Sequence, residues 1–107
     1  MAGPWASRPL GGMSRYVHKG EAVTVVAGWD RPCGHWFSYI YPEGANEPSY
    51  ASIYDPALQS RDRPRHLFGG QSWEELVEKI SGLVPQLMLD QLKLDGEVNA
   101  GNVTGSF

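Results

Sequence analysis

The sequence predicts an α+β fold: an antiparallel sheet of three to four strands, followed by two C-terminal helices packed on one face. Residues 23–54 contain short runs of β-branched and aromatic residues separated by proline and glycine turns, which is typical of strands. Residues 73–94 instead carry apolar residues at helical spacing. Because the strands precede the helices along the chain, the order favours an antiparallel sheet over alternating βα units. The 107 residues suffice for one small domain.

Composition divides the chain into three parts. Residues 1–12 hold two prolines and three glycines without periodicity, so we expect a disordered extension. Met13 then opens a sequence like an ordinary protein start, which suggests the hypothesis that it is the natural first residue. Residues 13–96 form the single α+β domain. Residues 97–107 are expected to be a tail or a short edge strand.

Two strands joined by a tight turn begin the domain. The first is predicted from Glu21 to Trp29, with a shorter strand at Arg15–His18 before it, and the second from His35 to Tyr41. In the turn between them, Pro32 supplies a fixed φ, and Gly34 suits a positive φ.

This turn suggests a register for the hairpin. If Arg31 lies beside His35, Trp29 stands opposite Phe37 and Ala27 opposite Tyr39. A slip of one residue would exchange the two faces. The predicted core face contains Val23, Val25, Ala27, Trp29, Phe37, Tyr39 and Tyr41.

A third strand and a helix follow. Tyr50–Tyr54 is predicted to be the third strand. Ser72 and Glu75 form a capping box, in which the serine hydroxyl accepts from the backbone of Glu75 and the Glu75 side chain reaches back. The first helix is therefore expected from Trp73 to Ser81.

The last predicted helix is unusually apolar. Pro85 suits its first position, Leu94 is its expected end, and Gly96 is the expected stop. Either the whole apolar stretch from Leu83 to Leu94 packs on the sheet, or it exceeds what one small core covers. Self-association as a two-fold homodimer, through this helix or a sheet edge, is therefore one expectation.

Charge and composition exclude several classes. The net charge of −3 and the pI of about 5.5 argue against a general nucleic-acid binder, which needs basic surface. No run approaches the ~20 apolar residues of a membrane helix. The single cysteine, Cys33, cannot form an internal disulfide. A cytoplasmic location without membrane association is the simplest interpretation, and nothing in the sequence indicates a cofactor.

The strongest candidate surface lies at the hairpin tip, in Trp29, Asp30, Arg31 and Trp36. Tryptophan and arginine are frequent anchors of protein interfaces, so the tip could dock into a partner. In the alternative interpretation, both tryptophans cap the sheet core, while Asp30 and Arg31 form a local ion pair.

A basic loop offers a second candidate. Nearby Asp55 and Asp62 dilute its charge, and no aromatic platform accompanies it. A solvated loop, or pairing with glutamates of the first predicted helix, is the alternative to phosphate contact. The loop residues are Arg61, Arg63, Arg65 and His66.

Cys33 and His35 suggest a third possibility, since a histidine can activate a thiol. A turn interrupts the pair, and neither an oxyanion hole nor an orienting residue can be assigned. The histidines and Cys33 also lack the close spacing of metal ligands. We therefore assign no catalytic residue and no metal site.

The run Val25–Pro32, VVAGWDRP, followed by an aromatic strand, resembles a small uncharacterised family of bacterial proteins of about this length. No activity is attached to that family, so the resemblance implies only a bacterial cytoplasmic origin. Together the residues predict a small accessory or protein-interaction module without catalysis, binding through the hairpin tip. A nucleic-acid-associated regulator and a small Cys–His enzyme are the alternatives.

Overall fold

The computed structural model describes residues 13–31, 34–59 and 70–107, apart from the side chains at 57 and 59. Five strands and three helices make up these ranges, with one 3₁₀ turn at Ser52–Tyr54. The strands are β1 (Ser14–Lys19), β2 (Val23–Asp30), β3 (His35–Pro42), β4 (Tyr50–Ala51) and β5 (Val103–Ser106). The helices are α1 (Pro56–Gln59), α2 (Trp73–Ile80) and α3 (Gln86–Val98).

The strands form one sheet in the order β4-β3-β2-β1-β5. All neighbours are antiparallel except β1 and β5, which are parallel. The α+β class is confirmed, but the sheet has five strands rather than three to four. The predicted third strand shortens to Tyr50–Ala51, because the chain turns into the 3₁₀ segment at Ser52.

The hairpin register differs from the predicted one by a single residue. Asp30 pairs with His35, and Trp29 therefore stands opposite Trp36 rather than Phe37. The connection has four residues rather than three. Gly34 closes it with a positive φ of 72°, and its N–H donates to the Asp30 carbonyl at 2.8 Å. The longer loop is the physical reason for the slip.

The slip moves the aromatic residues of β3 to the other face. Trp36 and Ile40 now face the helices, whereas Phe37, Tyr39 and Tyr41 lie on the opposite side of the sheet. Their predicted placement on the same face as Val25 and Ala27 is therefore wrong, although Phe37 and Tyr41 are buried on the other face. The prediction for β2 holds, as Val25 and Ala27 are fully buried in the core. The core cluster contains Tyr16, Val25, Ala27, Ile40, Leu76, Ile80, Met88, Leu89 and Leu92.

The capping box at α2 is confirmed. The Glu75 N–H donates to the Ser72 hydroxyl at 3.2 Å, and the Ser72 N–H donates to the Glu75 carboxylate at 2.8 Å. The helix buries Leu76 and Ile80. Among the residues that the structure describes, no helix has both the length and the apolar character needed to cross a membrane.

The end of α3 was not predicted correctly, since the helix continues through Gly96 to Val98. Gly96 lies against Trp36, and a Cβ at this position would overlap the indole ring. The glycine is thus explained by close packing rather than by helix termination. Asn99 ends the helix instead, in the left-handed conformation with φ 53°.

Candidate functional site

The tip of the β2–β3 hairpin carries the four residues that the sequence indicates as a docking surface. Trp29 and Asp30 end β2, Arg31 lies in the loop, and Trp36 is the second residue of β3. The Trp29 and Trp36 ring centroids are 4.6 Å apart, and their planes are inclined by 63°. Such edge-to-face contact is favourable between aromatic rings.

Both tryptophans are bonded to α3 or to the residue that ends it. The Trp36 Nε1 donates to the Leu92 carbonyl at 2.9 Å, and the Trp29 Nε1 donates to the Asn99 side-chain oxygen at 3.0 Å. Trp29 is only 8% exposed, and half-buried Trp36 also packs on Trp73 with a centroid distance of 5.2 Å. Their packing matches the interpretation in which they cap the core.

The solvent-facing chemistry of the tip is consequently polar. Arg31 is exposed and Asp30 is half-buried. Asp30 also forms an isolated bridge with Met13, which ties the tip to the start of β1. The tip is therefore a braced platform with Arg31 at its outer end.

The remaining candidates from the sequence fall into two groups. Cys33 and the basic loop residues Arg61, Arg63, Arg65 and His66 lie outside the described residues. His35 is described and is only 2% exposed, with its Nδ1 atom 3.1 Å from the Trp36 carbonyl oxygen. Within the described ranges, no three His, Cys, Asp or Glu side chains are grouped to hold a metal ion.

The outer side of α3 carries an apolar stripe that the core does not use. Leu87 is 71% exposed, Leu94 46% and Val98 62%. Their positions, together with half-buried Gln91, follow a four–three–four spacing, which places them along one side of the helix. The opposite side, with Met88 and Leu92, is buried. The apolar richness of this helix, evident in the sequence, thus divides between a core face and a solvent face.

The stripe lies on the side of α3 that is nearer to β1 than to β3, because Gly96, on another side of the helix, lies against Trp36 of β3. Asp95 of α3 is close enough to Tyr16 of β1, the neighbour of β5, to raise the pKa of its phenol. Val103 lies opposite Ser14, two residues before Tyr16, and so shares the helix-facing side of the sheet. All four residues of β5 are exposed.

We call the surface formed by the exposed stripe of α3 and the exposed strand β5 the α3–β5 step. Its wall is Leu87, Leu94 and Val98, and its floor is Val103. The Asn102 N–H donates to the Met13 carbonyl at 2.9 Å, so the floor begins beside the residue that bridges to the hairpin tip. The step and the tip are therefore neighbouring surfaces at one end of the molecule.

A separate polar cleft lies between β4 and α2. Its volume is about 320 Å³, at the small end of ligand pockets. Half-buried Tyr50 donates to the Asp55 carboxylate at 2.8 Å and accepts from the Gln71 amide at 3.2 Å. Gln71 in turn accepts from the Ser38 hydroxyl at 2.8 Å. The Lys79 ammonium lies 4.4 Å from the Tyr50 ring centroid.

The electrostatics of the cleft favour a structural role for Tyr50. Burial raises the pKa of this phenol above its ordinary value of 10.0, and the hydrogen bond from the phenol to Asp55 raises it further. The phenol therefore keeps its proton at neutral pH, and its hydrogen bonds join the 3₁₀ segment to the sheet. No sequence motif indicated this network, because its members are scattered over more than thirty residues.

Comparison of the chain with known proteins gives no further identification. It matches no protein-family model, no curated protein and no solved structure. The geometry and chemistry of its own residues therefore carry the functional argument.

Proposed function

We propose that the protein is a non-catalytic protein-interaction module that binds a partner through the α3–β5 step, with the hairpin tip at one end of the contact. The proposal places it in the cytoplasm as an accessory protein. As the sequence suggested, the hairpin tip takes part in binding. The apolar contacts, however, come from exposed residues of α3 and not from Trp29 and Trp36.

The exposed aliphatic stripe on α3 is the observation that carries this proposal. Burying apolar surface contributes roughly 25 cal/mol for each Å² removed from water. Single exposed apolar residues are common, whereas a contiguous set of them favours a binding surface. Leu94 and Val98 are neighbours at i, i+4 spacing, and Leu87 lies two turns earlier on the same side of α3, with Gln91 between.

The rigidity of the neighbouring tip adds to the argument. Because the two indole N–H groups bond to Leu92 and Asn99, the hairpin cannot move independently of α3 without losing both bonds. A preorganised surface loses less conformational entropy on binding. Exposed Arg31 then supplies a residue type that is enriched at the centre of interfaces.

Site-specific photo-crosslinking tests the proposal. Leu94 is replaced by benzoylphenylalanine, and the protein is irradiated in extract of its host. The matched control carries the same group at Tyr54, which is 74% exposed and lies in the 3₁₀ segment. We expect one reproducible adduct from position 94 that is absent from position 54 and is reduced by Arg31→Glu. The same adducts from both positions, or none from position 94, would contradict the proposal.

A further inference from the structure

Among the described residues, the helices pack on the middle of the sheet and leave the β5 edge exposed. Strands are spaced by ~4.8 Å and packed helices by ~8–10 Å, so one helix covers about two strands. α2 packs on β3 and α3 packs on β2. The fifth strand, β5, remains exposed along its whole length. By this spacing, two helices cover about four of the five strands, so a helix seated beside α3 would lie over β5 and extend past the edge of the sheet.

The spacing along the wall of the step is that of a helix–helix seam. Leu87, Gln91, Leu94 and Val98 occupy alternating a and d positions of a heptad. The 13 residues of α3 extend over roughly 20 Å, which corresponds to a partner helix of about four turns. Val103 and the ring of Phe107, each 39% exposed, offer further apolar contact at the floor.

Acidic side chains beside the stripe indicate the charge that a partner helix should carry. Asp90 and Glu97 are exposed and seven residues apart, so both flank the stripe on its solvent side. Lys93 lies further around the helix, away from the stripe. The carbonyl end of α3 adds partial negative charge near Val98. A partner with basic residues beside its apolar seam would complement this arrangement.

A second copy of the chain does not offer such a helix among the described residues. Both α2 and α3 expose acidic side chains, Glu74 and Glu78 on the former and Asp90 and Glu97 on the latter. Pairing α3 with itself in an antiparallel manner would bring the two acidic flanks together, which is unfavourable.

Resting on the proposed function, we infer that the α3–β5 step binds an amphipathic helix of another protein, with leucines at heptad spacing and a lysine- or arginine-rich flank. The helix lies alongside α3 and above β5. Its apolar seam covers Leu87, Leu94 and Val98, and its basic flank meets Asp90 and Glu97. The contact is small, so binding is weak and reversible.

Two synthetic peptides test the inference by isothermal titration calorimetry. Each has four helical turns with leucine at a and d positions, one with lysine flanks and the other with glutamate flanks. We expect a dissociation constant of about 10–100 μM for the lysine peptide and binding at least ~10-fold weaker for the glutamate peptide. Raising the salt from 50 to 500 mM should weaken the lysine peptide ~3-fold or more. Equal affinities of the two peptides would overturn the inference.

Variants locate the contact. Leu87→Ser with Val98→Ser should weaken the lysine peptide at least ~10-fold, and Asp90→Asn with Glu97→Gln ~3-fold or more. The matched control Tyr54→Ser removes an equally exposed ring elsewhere and should bind as wild type. Circular dichroism establishes that each variant is folded. The pair Asp90→Asn with Glu97→Gln tests the acidic flank without altering the apolar residues of the stripe. Unchanged affinity in both pairs would overturn the inference.

Sedimentation velocity separates the remaining outcomes. A monomer is expected at 100 μM; a dimer that Leu87→Ser with Val98→Ser abolishes would assign the step to a second copy and overturn the inference. Adducts at position 94 without binding of either peptide would leave the proposed function intact while removing the basic helix as the partner. Binding of the lysine peptide without adducts at position 94 would support the basic helix as a ligand of the step but would contradict the proposed function.

Discussion

The hairpin tip and the outer side of α3 are both rich in apolar residues, yet the fold uses them in opposite ways. At the tip, Trp29 and Trp36 pack on each other and donate hydrogen bonds to Asn99 and Leu92 respectively. On α3, Leu87, Leu94 and Val98 are instead 71%, 46% and 62% exposed. Tryptophan is a frequent residue at interfaces, but Trp29 and Trp36 pack in the interior of this protein. Ordinary aliphatic residues are the ones left for a partner.

The largest expected effect tests the structural half of this contrast. Trp36→Ala removes the ring that joins Trp29, Trp73 and Gly96, together with its hydrogen bond to α3. We expect the free energy of unfolding to fall by about 3–5 kcal/mol, measured by denaturant titration. A loss below about 1 kcal/mol would mean that the tip is not part of the core.

Close packing beneath the tip gives the next effect. Gly96→Ala introduces a Cβ into the Trp36 ring, and the strain of about 1–3 kcal/mol exceeds the gain of about 1 kcal/mol in helix propensity. The net expectation is a loss of up to about 2 kcal/mol in the free energy of unfolding, measured by chemical denaturation. Gly82→Ala is the control, since no atom lies within 4 Å of its added Cβ, and it should be neutral or slightly stabilising. Equal responses at both glycines would contradict this packing.

Alkaline pH tests the contacts on the buried side of α3, where Asp95 lies close to Tyr16. Burial raises the pKa of Tyr16 above 10.0, and the Asp95 carboxylate adds to the rise. Because the folded pKa lies above the unfolded one, this contribution to stability is complete below pH 10 and is lost as the pH rises further. Between pH 9 and 11, the free energy of unfolding of the wild type should fall by up to about 1.4 kcal/mol more than that of Tyr16→Phe. Parallel pH profiles would show that Tyr16 does not titrate in this way.

The smallest expected effect concerns the stripe itself. Leu87→Ser with Val98→Ser alters two exposed side chains, so the free energy of unfolding should stay within about 0.5 kcal/mol of wild type for each change. Thermal and denaturant unfolding both measure this. A loss comparable to that of Trp36→Ala would place the stripe in the core and remove the contrast.

Much of the fold could be predicted from local chemistry. The capping box of Ser72 and Glu75 depends only on residues three apart, and it is present as expected. Strand propensity located β2 and β3. The register failed because the length of the loop after Asp30, one residue longer than expected, decides which face Phe37 takes.

The candidate site was less accessible to sequence reasoning. Gly96 was expected to end α3, since only tertiary packing against Trp36 gives it a different role. The excess apolar content from Leu83 to Leu94 did indicate a surface, but the chain order does not show which leucines face solvent. The polar network of Ser38, Gln71 and Tyr50 joins distant segments and gave no local signal.

Amide chemical shifts during titration with the lysine-flanked peptide test the central claim most directly. The account predicts saturable changes along α3 at Leu87, Leu94 and Val98 and along β5. The indole N–H signals of Trp29 and Trp36 should keep their hydrogen-bonded positions. Changes centred on the tryptophans with α3 unaffected, or no changes at millimolar peptide, would contradict it.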